Sequence, residues 1–315
     1  MAENILKINS VSKSYKDVLA LDKVSIDIEK GRIYGFIGQN GAGKTTLMSM
    51  ITGLSYPTEG TIEIFGRNEP KELEKSRKKM GTMIEKVSMY PNLTVKQNLE
   101  FYKILKGISD ENAVENTLRM VELSELGNKK FKNLSLGMKQ RLGIAAALLG
   151  NPEILILDEP VNGLDPIGIL EVREILLNLN KEYGTTILIS SHILSELYML
   201  ATDYIIIHEG KIVDSLTLEQ LSNQCKKHIT IQAEGVNDAK NVLEKQLNIS
   251  DYLVLEDNKI RLFDDSYSRK DFARIFYDNK IVLTELSYSD ESLESYFINA
   301  IGGINHEEIA SNRVS

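Results

Sequence analysis

A glycine-rich run that ends in a lysine and a threonine gives the strongest chemical signal in this sequence of 315 residues. The run is GQNGAGKT, residues 38–45, and it matches the pattern GxxxxGK[ST] between the strand-like IYGFIG and the helix-like TTLMSMITGL. Its glycines let successive backbone amides face an anion, and the start of the following helix adds partial positive charge. We therefore predict a site for the phosphates of a nucleotide. The residues predicted to hold them are Gly38, Asn40, Gly41, Ala42, Gly43, Lys44, Thr45 and Thr46.

Two residues of this loop carry functional groups with separate roles. The Lys44 ammonium is expected to reach the β- and γ-phosphates and to assist catalysis, and the Thr45 hydroxyl is expected to ligate Mg²⁺. An ordinary glycine-rich turn is the alternative interpretation, but strand, loop and helix follow one another in the order that the motif requires. A dinucleotide site of the Rossmann type is disfavoured, because the glycine spacing is not GxGxxG and a lysine occupies the phosphate end.

A pair of carboxylates at the end of an apolar strand is the second signal. In EILILDEP the strand delivers Asp158 and Glu159 together. A carboxylate at the carboxyl end of a strand is well placed for a metal ion, and its neighbour can polarise water. We predict that Asp158 holds Mg²⁺ and that Glu159 is the general base or orients the attacking water. Such a pair by itself is more often a solvated turn, but together with the phosphate loop it favours a catalytic site.

Strands and helices alternate along the part of the chain that must position these groups. Buried runs such as EILILDEP and TTILISSH are separated by helical stretches, which predicts an α/β sheet with substantial parallel pairing over residues 1–220. VSIDIEKGRIYGFIG reads as strand. The helical stretch that begins at Thr94 has Gln97 three residues later, the spacing of a capping box.

A second, smaller domain is predicted over residues 221–315. Its segments read as βαββαβα, an order typical of a ferredoxin-like α+β sandwich. Asp257 and Asn258 mark the central hairpin of this domain. Its charged helices are most simply a solvated face, and we favour a dimerisation or stabilising role for it over a substrate site.

The composition excludes several classes of protein. The 37 Lys and Arg against 45 Asp and Glu give a net charge of −8, which opposes nucleic-acid binding. Cys225 is the only cysteine, so no intrachain disulfide can form and the chain fits a reducing compartment such as the cytosol. The start, MAENILKINS, lacks the features of a signal peptide, and no apolar run approaches the roughly 18 to 20 residues needed to cross a bilayer. If the protein works at a membrane, another chain is expected to cross it.

Further segments, in a fixed order along the chain, resemble the motifs of one family. NLSLGMKQR, with Ser135 and Gly137, is similar to the LSGGQ signature; NGLDP, with Asp165, matches the D-loop; and SSH, with His192, matches the switch histidine. Together with the phosphate loop and the acidic pair, they make the sequence similar to the ATP-binding subunits of ABC transporters. The family is the P-loop NTPase type, and the resemblance implies a helical subdomain at about residues 86–150.

The resemblance also implies roles for these residues. Tyr15 matches the aromatic position that stacks on adenine, His192 a catalytic contact to the γ-phosphate, and Ser135, Gly137 and Asp165 the nucleotide contacts of the dimer. Each has a plainer alternative: Tyr15 could be an ordinary strand residue, His192 a structural histidine, and Ser135 only a helix cap. The implied cofactors are ATP and Mg²⁺, bound between two protomers of a homodimer so that the Ser135 segment of one closes on the γ-phosphate held by the other.

One position departs from the family pattern. Where a glutamine is expected, in MIEKVSMYPNLT, this chain has Glu85. An ionised glutamate only accepts hydrogen bonds but binds Mg²⁺ more strongly than an amide does, so we predict Glu85 as a third metal-site carboxylate. The alternative is that Glu85 faces solvent. Glu85, YPNLT and LSLGM resemble the subgroup that serves bacitracin-type and lantibiotic export and immunity, and this loop, with Tyr90, is where the family contacts its membrane subunits.

The resemblance thus implies an ATPase that powers export of, or immunity to, an amphipathic peptide antibiotic through a separate transmembrane permease. The chain itself would be peripheral on the inner face of the membrane. A soluble ABC protein of translation or DNA repair, or a sensor whose C-terminal domain binds a regulator, is the alternative. No metal cluster is predicted, because His208, His228 and His306 show no ligand spacing with the single cysteine.

Overall fold

The computed structural model describes residues 3–85, 88–225, 228–255, 258–263, 266–289, 293 and 295–302. The chain divides into two compact units, Met1–Leu218 and Glu219–Ser315. No described helix is both long enough and apolar enough to span a bilayer.

The first unit contains nine strands and seven helices among the described residues. The strands are β1 (Asn4–Tyr15), β2 (Val18–Glu29), β3 (Ile33–Ile37), β4 (Glu59–Ile64), β5 (Met80–Met83), β6 (Ile154–Leu157), β7 (Thr186–Ser191), β8 (Asp203–His208) and β9 (Lys211–Thr217). The helices are α1 (Lys44–Thr52), α2 (Pro70–Arg77), α3 (Val95–Leu105), α4 (Ala113–Met120), α5 (Leu136–Leu148), α6 (Pro166–Tyr183) and α7 (Leu194–Tyr198).

A six-stranded sheet with the order β5-β6-β7-β3-β8-β9 forms the centre of this unit. All of its neighbouring pairs are parallel except β8 with β9, so the predicted parallel pairing is confirmed. Every residue of β3, β6 and β7 is buried, as expected for parallel strands with both faces covered. Because these strands run in one direction, the segments that follow them meet at one edge of the sheet.

A separate antiparallel sheet, with the order β2-β1-β4, lies beside the central sheet. VSIDIEKGRIYGFIG, predicted as strand, forms parts of two strands, β2 and β3. The chain turns at Gly31, whose φ of +76° is a conformation that glycine adopts without strain. The turn places β2 in the antiparallel sheet and β3 in the central one.

The helix boundaries follow local signals in the sequence. Helix α1 ends at Gly53, which has a φ of +84°, and α3 begins with the predicted capping box, since Thr94 accepts from the Gln97 amide and the Gln97 side chain accepts from the Thr94 amide. Helices α3, α4 and α5 occupy the range that the family resemblance assigns to a helical subdomain. The Lys106 ammonium donates to three carbonyls at the end of α5, those of Ala146, Ala147 and Leu149.

The second unit has the ferredoxin-like architecture that the sequence predicted. Its elements are α8 (Leu218–Cys225), β10 (His228–Ala233), α9 (Val236–Asn241), which continues in a π-helical turn (Val242–Gln246), β11 (Tyr252–Val254), β12 (Lys259–Leu262), α10 (Arg269–Asp278) and β13 (Leu283–Ser289). The sheet order is β11-β12-β10-β13 with every pair antiparallel, as in a split βαβ fold. Ile231, Leu262, Phe272 and Phe276 are fully buried in a core of its own. Residues 295–302 are helical. Asp257 lies outside the described residues.

Candidate nucleotide site

The loop between β3 and α1 is shaped by close contacts that only glycine permits. Gly43 caps α1 with a φ of +110°, and a Cβ there would lie 2.7 Å from Leu21 Cδ2 and 2.9 Å from the Ala20 carbonyl oxygen. A Cβ on Gly38 would lie 2.5 Å from the Ile207 carbonyl oxygen. The backbone of the loop is therefore packed directly against its neighbours, which fixes its amides in place.

Lys44 is held inside this loop. Its side chain is only 5% exposed, and its Nζ donates to the carbonyl oxygens of Gly38 at 2.6 Å and Gln39 at 3.3 Å. The same Nζ lies 3.3 Å from Glu159 Oε1, within ion-pair distance but outside hydrogen-bond geometry. The Lys44 charge is thus already shared between two carbonyls and a carboxylate.

Asp158 binds one hydroxyl on each side. The Thr45 Oγ1 donates to its Oδ2 at 2.7 Å, and the Ser190 Oγ donates to its Oδ1 at 2.6 Å. Asp158 is 6% exposed, so this buried carboxylate depends on the two hydroxyls. A carboxylate beside a hydroxyl is a donor set of hard oxygens, which fits Mg²⁺.

Glu159 has an unusual backbone and lies close to Lys44 and His192. Its φ of +48° is rare for a residue with a side chain, and strain of this kind is concentrated at functional sites. Its amide donates to Ser190 Oγ at 2.9 Å, and its Oε2 lies 2.8 Å from His192 Nδ1. Glu159 therefore lies between Lys44 and His192, the two groups that the sequence assigned to phosphate.

Two residues of this site were missed in the sequence. Ser190 accepts from the Glu159 amide and donates to Asp158, so one hydroxyl orients both acidic residues. The available signal was a polar residue at the end of an apolar strand, next to the strand that carries the acidic pair. Glu196 accepts from Ser191 Oγ at 3.3 Å; burial raises the pKa of Glu196, and the Glu159 charge raises it further, while Ser191 and His192 oppose the shift.

Glu85 lies at the same edge of the sheet as the acidic pair. Met83 of β5 is paired with Leu157 of β6, so Glu85 follows its strand by the same number of residues as Glu159 does. It is exposed with a φ of +62°, and no hydrogen bond or ion pair joins it to another described residue. Within the described part of the chain no group of three or more His, Cys, Asp and Glu side chains is arranged to hold a metal. The role of Glu85 as a metal ligand stays a prediction.

The signature and D-loop residues lie beside one another rather than at Lys44. Ser135 caps α5 by accepting from the Met138 amide at 3.3 Å, and Asp165 caps α6 by accepting from the Gly168 amide at 2.9 Å. A Cβ on Gly137 would lie 3.9 Å from Gly168 Cα, so the two helix starts are close. Ser135 and Asp165 are both exposed, at neighbouring helix N-termini where an anion is favoured.

Tyr15 ends β1 with its ring 48% exposed. Its hydroxyl lies 3.3 Å from Ser55 Oγ, and the Lys13 ammonium lies 4.8 Å from the ring centroid. An exposed ring with a cation on one face is available for stacking. Asn40 is exposed in the phosphate loop, and Thr46 lies in the first turn of α1, partly exposed.

A separate cleft lies away from these residues. It has a volume of about 760 Å³ and is lined by Lys30, Glu153 and Thr185, which precede β3, β6 and β7. It therefore opens at the amino ends of the parallel strands, whereas ligands of open α/β sheets bind at the carboxyl ends. On this ground Lys44 and Asp158, rather than this cleft, stay the predicted nucleotide site.

Comparison with known proteins identifies the family of this chain. Residues 21–162 match the family model described as ABC transporter. The chain is 40% identical over 301 residues to the bacitracin transport ATP-binding protein BcrA of Enterococcus faecalis, covering 96% of this chain and 97% of the relative. This chain belongs to the ATP-binding proteins of ABC transporters. This chain is also 44% identical over 225 residues to the lantibiotic transport ATP-binding protein SrtF of Streptococcus pyogenes. That alignment covers 70% of this chain and 96% of SrtF.

A solved cassette gives the same assignment from structure. The cassette MJ0796, in a dimeric post-hydrolysis state bound to ADP and Pi, is 29% identical, with a TM-score of 0.62 over 68% of this chain and 98% of the other. The protein is an ATPase that uses ATP and Mg²⁺, as members of the family do, and cassettes of this family dimerise and work with a membrane permease.

Proposed function

We propose that this cassette powers the export of, or immunity to, an amphipathic peptide antibiotic of the bacitracin or lantibiotic type, through a separate transmembrane permease. The match to BcrA carries the proposal, because 301 aligned residues cannot leave out either structural unit. SrtF, a relative named for lantibiotic transport, supports the same class of substrate. Both relatives are named for transport, which favours this function over translation, DNA repair or sensing.

Phosphate binding at Lys44 requires the ammonium to leave its present partners. The ammonium is held by two loop carbonyls and by Glu159, so phosphate oxygens that reach it must replace these partners. The loop amides and the start of α1 add the remaining attraction for the phosphates. Thr45 Oγ1 and Asp158 are the ligands that would hold Mg²⁺, which neutralises charge on the β- and γ-phosphates when bound.

Hydrolysis then depends on Glu159 and His192. Once Lys44 pairs with phosphate, the Glu159 carboxylate is free to accept a proton from the attacking water or to orient it. The Ser190 hydroxyl holds the Glu159 amide, so the carboxylate keeps its direction during this exchange. His192 lies 2.8 Å from Glu159 and can donate to the γ-phosphate from the same place. The rate gain comes from positioning and charge stabilisation.

We propose a homodimer that closes through its two ATP sites. Ser135 and Gly137 lie at the exposed start of α5, next to Asp165 at the start of α6, and no described contact joins them to Lys44 of their own chain. Their amides and the partial positive charge of the helix N-terminus suit a phosphate held by the second protomer. Removal of the γ-phosphate would then open the dimer, and this movement drives the permease.

The segment after β5 is the surface that we assign to the permease, on the inner face of the membrane. Tyr90 is half exposed, its ring packs edge-on against Phe101 at 5.0 Å, and Phe101 packs against Tyr102 at 5.9 Å. The Tyr102 hydroxyl donates to the Ser88 carbonyl at 2.6 Å, which ties the loop to α3. The aromatic cluster can receive an apolar segment of another chain.

The function is tested by protection of cells. The cassette is expressed in a sensitive host together with its transmembrane permease, and growth is measured against bacitracin, a lantibiotic and an unrelated antibiotic. The wild-type pair should raise resistance to at least one of the two peptides, and the pair with Glu159→Gln should not. Equal sensitivity of both pairs to both peptides, at equal expression, would contradict the proposed substrate class but not the ATPase assignment.

A further inference from the structure

The turn between β8 and β9 has a conformation that few residues adopt. His208 pairs with Lys211, so Glu209 and Gly210 form a two-residue hairpin loop, with φ values of +46° and +78°. Two consecutive positive φ values are characteristic of a type I′ hairpin turn. The turn lies at the carboxyl end of β8, the strand next to β3 and its phosphate loop.

Gly210 joins two parts of the nucleotide site through its backbone. Its amide donates to the Ala42 carbonyl in the phosphate loop at 3.0 Å, and its own carbonyl accepts from the Asp22 amide of β2 at 2.9 Å. A Cβ at Gly210 would lie 2.7 Å from the Ala20 carbonyl oxygen and 3.1 Å from Leu21 Cα. The neighbouring atoms are backbone, so they cannot move aside as the end of a side chain can.

The Ala20 carbonyl also lies close to the phosphate loop itself. A Cβ on Gly43 would approach it to 2.9 Å, and the equivalent atom on Gly210 to 2.7 Å. The loop, β2 and the β8–β9 turn thus come together at the Ala20 carbonyl. An ion pair between Lys211 Nζ and Asp22 Oδ2, at 3.7 Å, supports the contact at the surface.

Strand β2 connects the Ala20 carbonyl to the β1–β2 hairpin, where Tyr15 is predicted to stack on adenine. Val18 pairs with Tyr15, and Ala20 follows Val18 by two residues, roughly 7 Å along a strand. We propose that the β8–β9 turn is a positioning element, in which Gly210 fixes the distance between the phosphate loop and the β1–β2 hairpin. This inference rests on the proposed stacking of adenine on Tyr15, since it is then the base and the phosphates of one nucleotide that the turn holds in register.

Substitution of Gly210 should weaken the binding of a whole nucleotide more than the binding of its phosphates alone. In the full-length chain, Gly210→Ala must shift β2 or the loop, so the affinity for MgADP should fall by about tenfold. Inorganic pyrophosphate, measured by competition against MgADP, needs only the loop and should lose less than about threefold. Gly66→Ala is the matched control, because Gly66 has a φ of +72° and nothing within 4 Å of its added Cβ. It should change neither affinity.

A double-mutant cycle separates this inference from the role of Tyr15. Tyr15→Ala should lower the MgADP affinity in the wild-type chain but much less in the Gly210→Ala chain, because the ring is already out of register. Additive losses would overturn the positioning role, as would equal losses for MgADP and pyrophosphate or a wild-type affinity in folded Gly210→Ala. No loss from Tyr15→Ala alone would overturn the stacking role of Tyr15 and the inference that depends on it.

Hydrogen exchange of the wild-type chain gives a test that does not depend on the folding of a variant. MgADP should slow exchange of both the Gly210 amide and the Asp22 amide, which lie on the two sides of the turn. Pyrophosphate should slow only the Gly210 amide, because that amide bonds to the loop. Protection of neither amide by MgADP would overturn the inference.

Discussion

Single contacts in this site show which residues compete and which cooperate. Lys44, Glu159 and His192 lie in a row, with 3.3 Å between Lys44 Nζ and Glu159 Oε1 and 2.8 Å between Glu159 Oε2 and His192 Nδ1. Glu159 contacts Lys44 and His192, the two groups predicted to receive phosphate. Its carboxylate is also the group predicted to act on the attacking water. A variant that removes only its charge therefore tests catalysis without weakening the phosphate contacts.

Glu159→Gln should slow hydrolysis by about 10² to 10⁴, the usual contribution of a general base. The affinity for ATP should be kept or improved, because Lys44 and His192 lose a competing carboxylate. Phosphate release at saturating MgATP and equilibrium binding of ATP measure the two effects. Glu125→Gln, an exposed site of the same charge change, should leave both unchanged. Turnover at the wild-type rate in Glu159→Gln would refute the catalytic assignment.

Ser190→Ala should weaken the metal site. Asp158 would lose one of its two hydroxyl donors and the Glu159 amide its acceptor, and a lost hydrogen bond to a charged group costs about 1.5 to 3 kcal/mol. Mn²⁺ binding in the presence of ADP, followed by electron paramagnetic resonance, should weaken by about tenfold or more. Ser191→Ala, one residue away, removes a hydroxyl bonded to Glu196 instead and should leave Mn²⁺ affinity unchanged. Equal affinities in the two variants would show that Ser190 does not orient Asp158.

Sequence motifs predicted these residues better than they predicted their partners. The loop glycines, Lys44, Asp158 and Glu159 follow from spacing, because phosphate and metal chemistry restrict the residue types that can serve. The hydroxyl of Ser190 could not be assigned from sequence, since serine at a strand end has many roles and only the pairing of β6 with β7 brings it to both acids. The contact of Gly210 with Ala42 likewise depends on a long-range packing that no local pattern contains.

At the scale of elements, local signals were reliable where a single residue ends or caps an element. The Thr94/Gln97 pair begins α3 as predicted, and the order of segments predicted the antiparallel sheet of the second unit. The sequence predicted strand over VSIDIEKGRIYGFIG but not where β2 ends and β3 begins, because β-rich residues lie on both sides of Gly31. Which sheet each half joins is decided by tertiary packing.

The Lys106 ammonium donates to three carbonyls at the end of α5. Its lowered pKa predicts a stability that depends on pH. Burial lowers the pKa of Lys106 to about 8, although the residue as a whole is exposed, because its Nζ is turned in toward three carbonyls. The ordinary pKa is 10.5, so between about pH 8 and 10.5 the unfolded chain binds more protons than the folded one. The destabilising cost of the buried charge is therefore complete below pH 8 and is relieved as the pH rises to 10.5.

Comparison with Lys106→Arg isolates this effect, because arginine stays charged throughout. The free energy of unfolding, from urea titrations, should shift in favour of the wild type between pH 8 and 10.5 and keep a constant difference from pH 6 to 8. The subtraction removes the other titrating groups, which both chains share. A difference that does not change up to pH 10.5 would contradict the lowered pKa.

At the scale of the whole molecule, the two units have separate cores, and the relatives differ in how much of the chain they share. The 225 aligned residues cover 96% of SrtF, so SrtF is too short to contain both units at the sizes that they have in this chain. BcrA matches nearly the full chain. We expect the first unit to fold and bind ATP without the second.

Deletion of the residues after 218 tests the role of the second unit. The truncated chain should bind ATP like the full chain, whereas its ATPase activity and its nucleotide-dependent dimerisation should fall, since we assign the second unit a dimerising or stabilising role. Sedimentation with MgATP, in the Glu159→Gln background, measures dimerisation directly. Unchanged ATPase activity and dimerisation would reject that role.

The pairing of Lys44 with an internal carboxylate also bears on which anions this protein accepts from the mixture in a cell. A sulfate ion or a single inorganic phosphate forms fewer bonds along the loop than a chain of linked phosphates does, so we expect it to compete less well with Glu159 and the two carbonyls for Lys44. A ligand that bears several linked phosphates gains further bonds along the loop for each one that it breaks. The lysine is thereby protected from abundant small anions, and the spent phosphate finds little to retain it after each turnover.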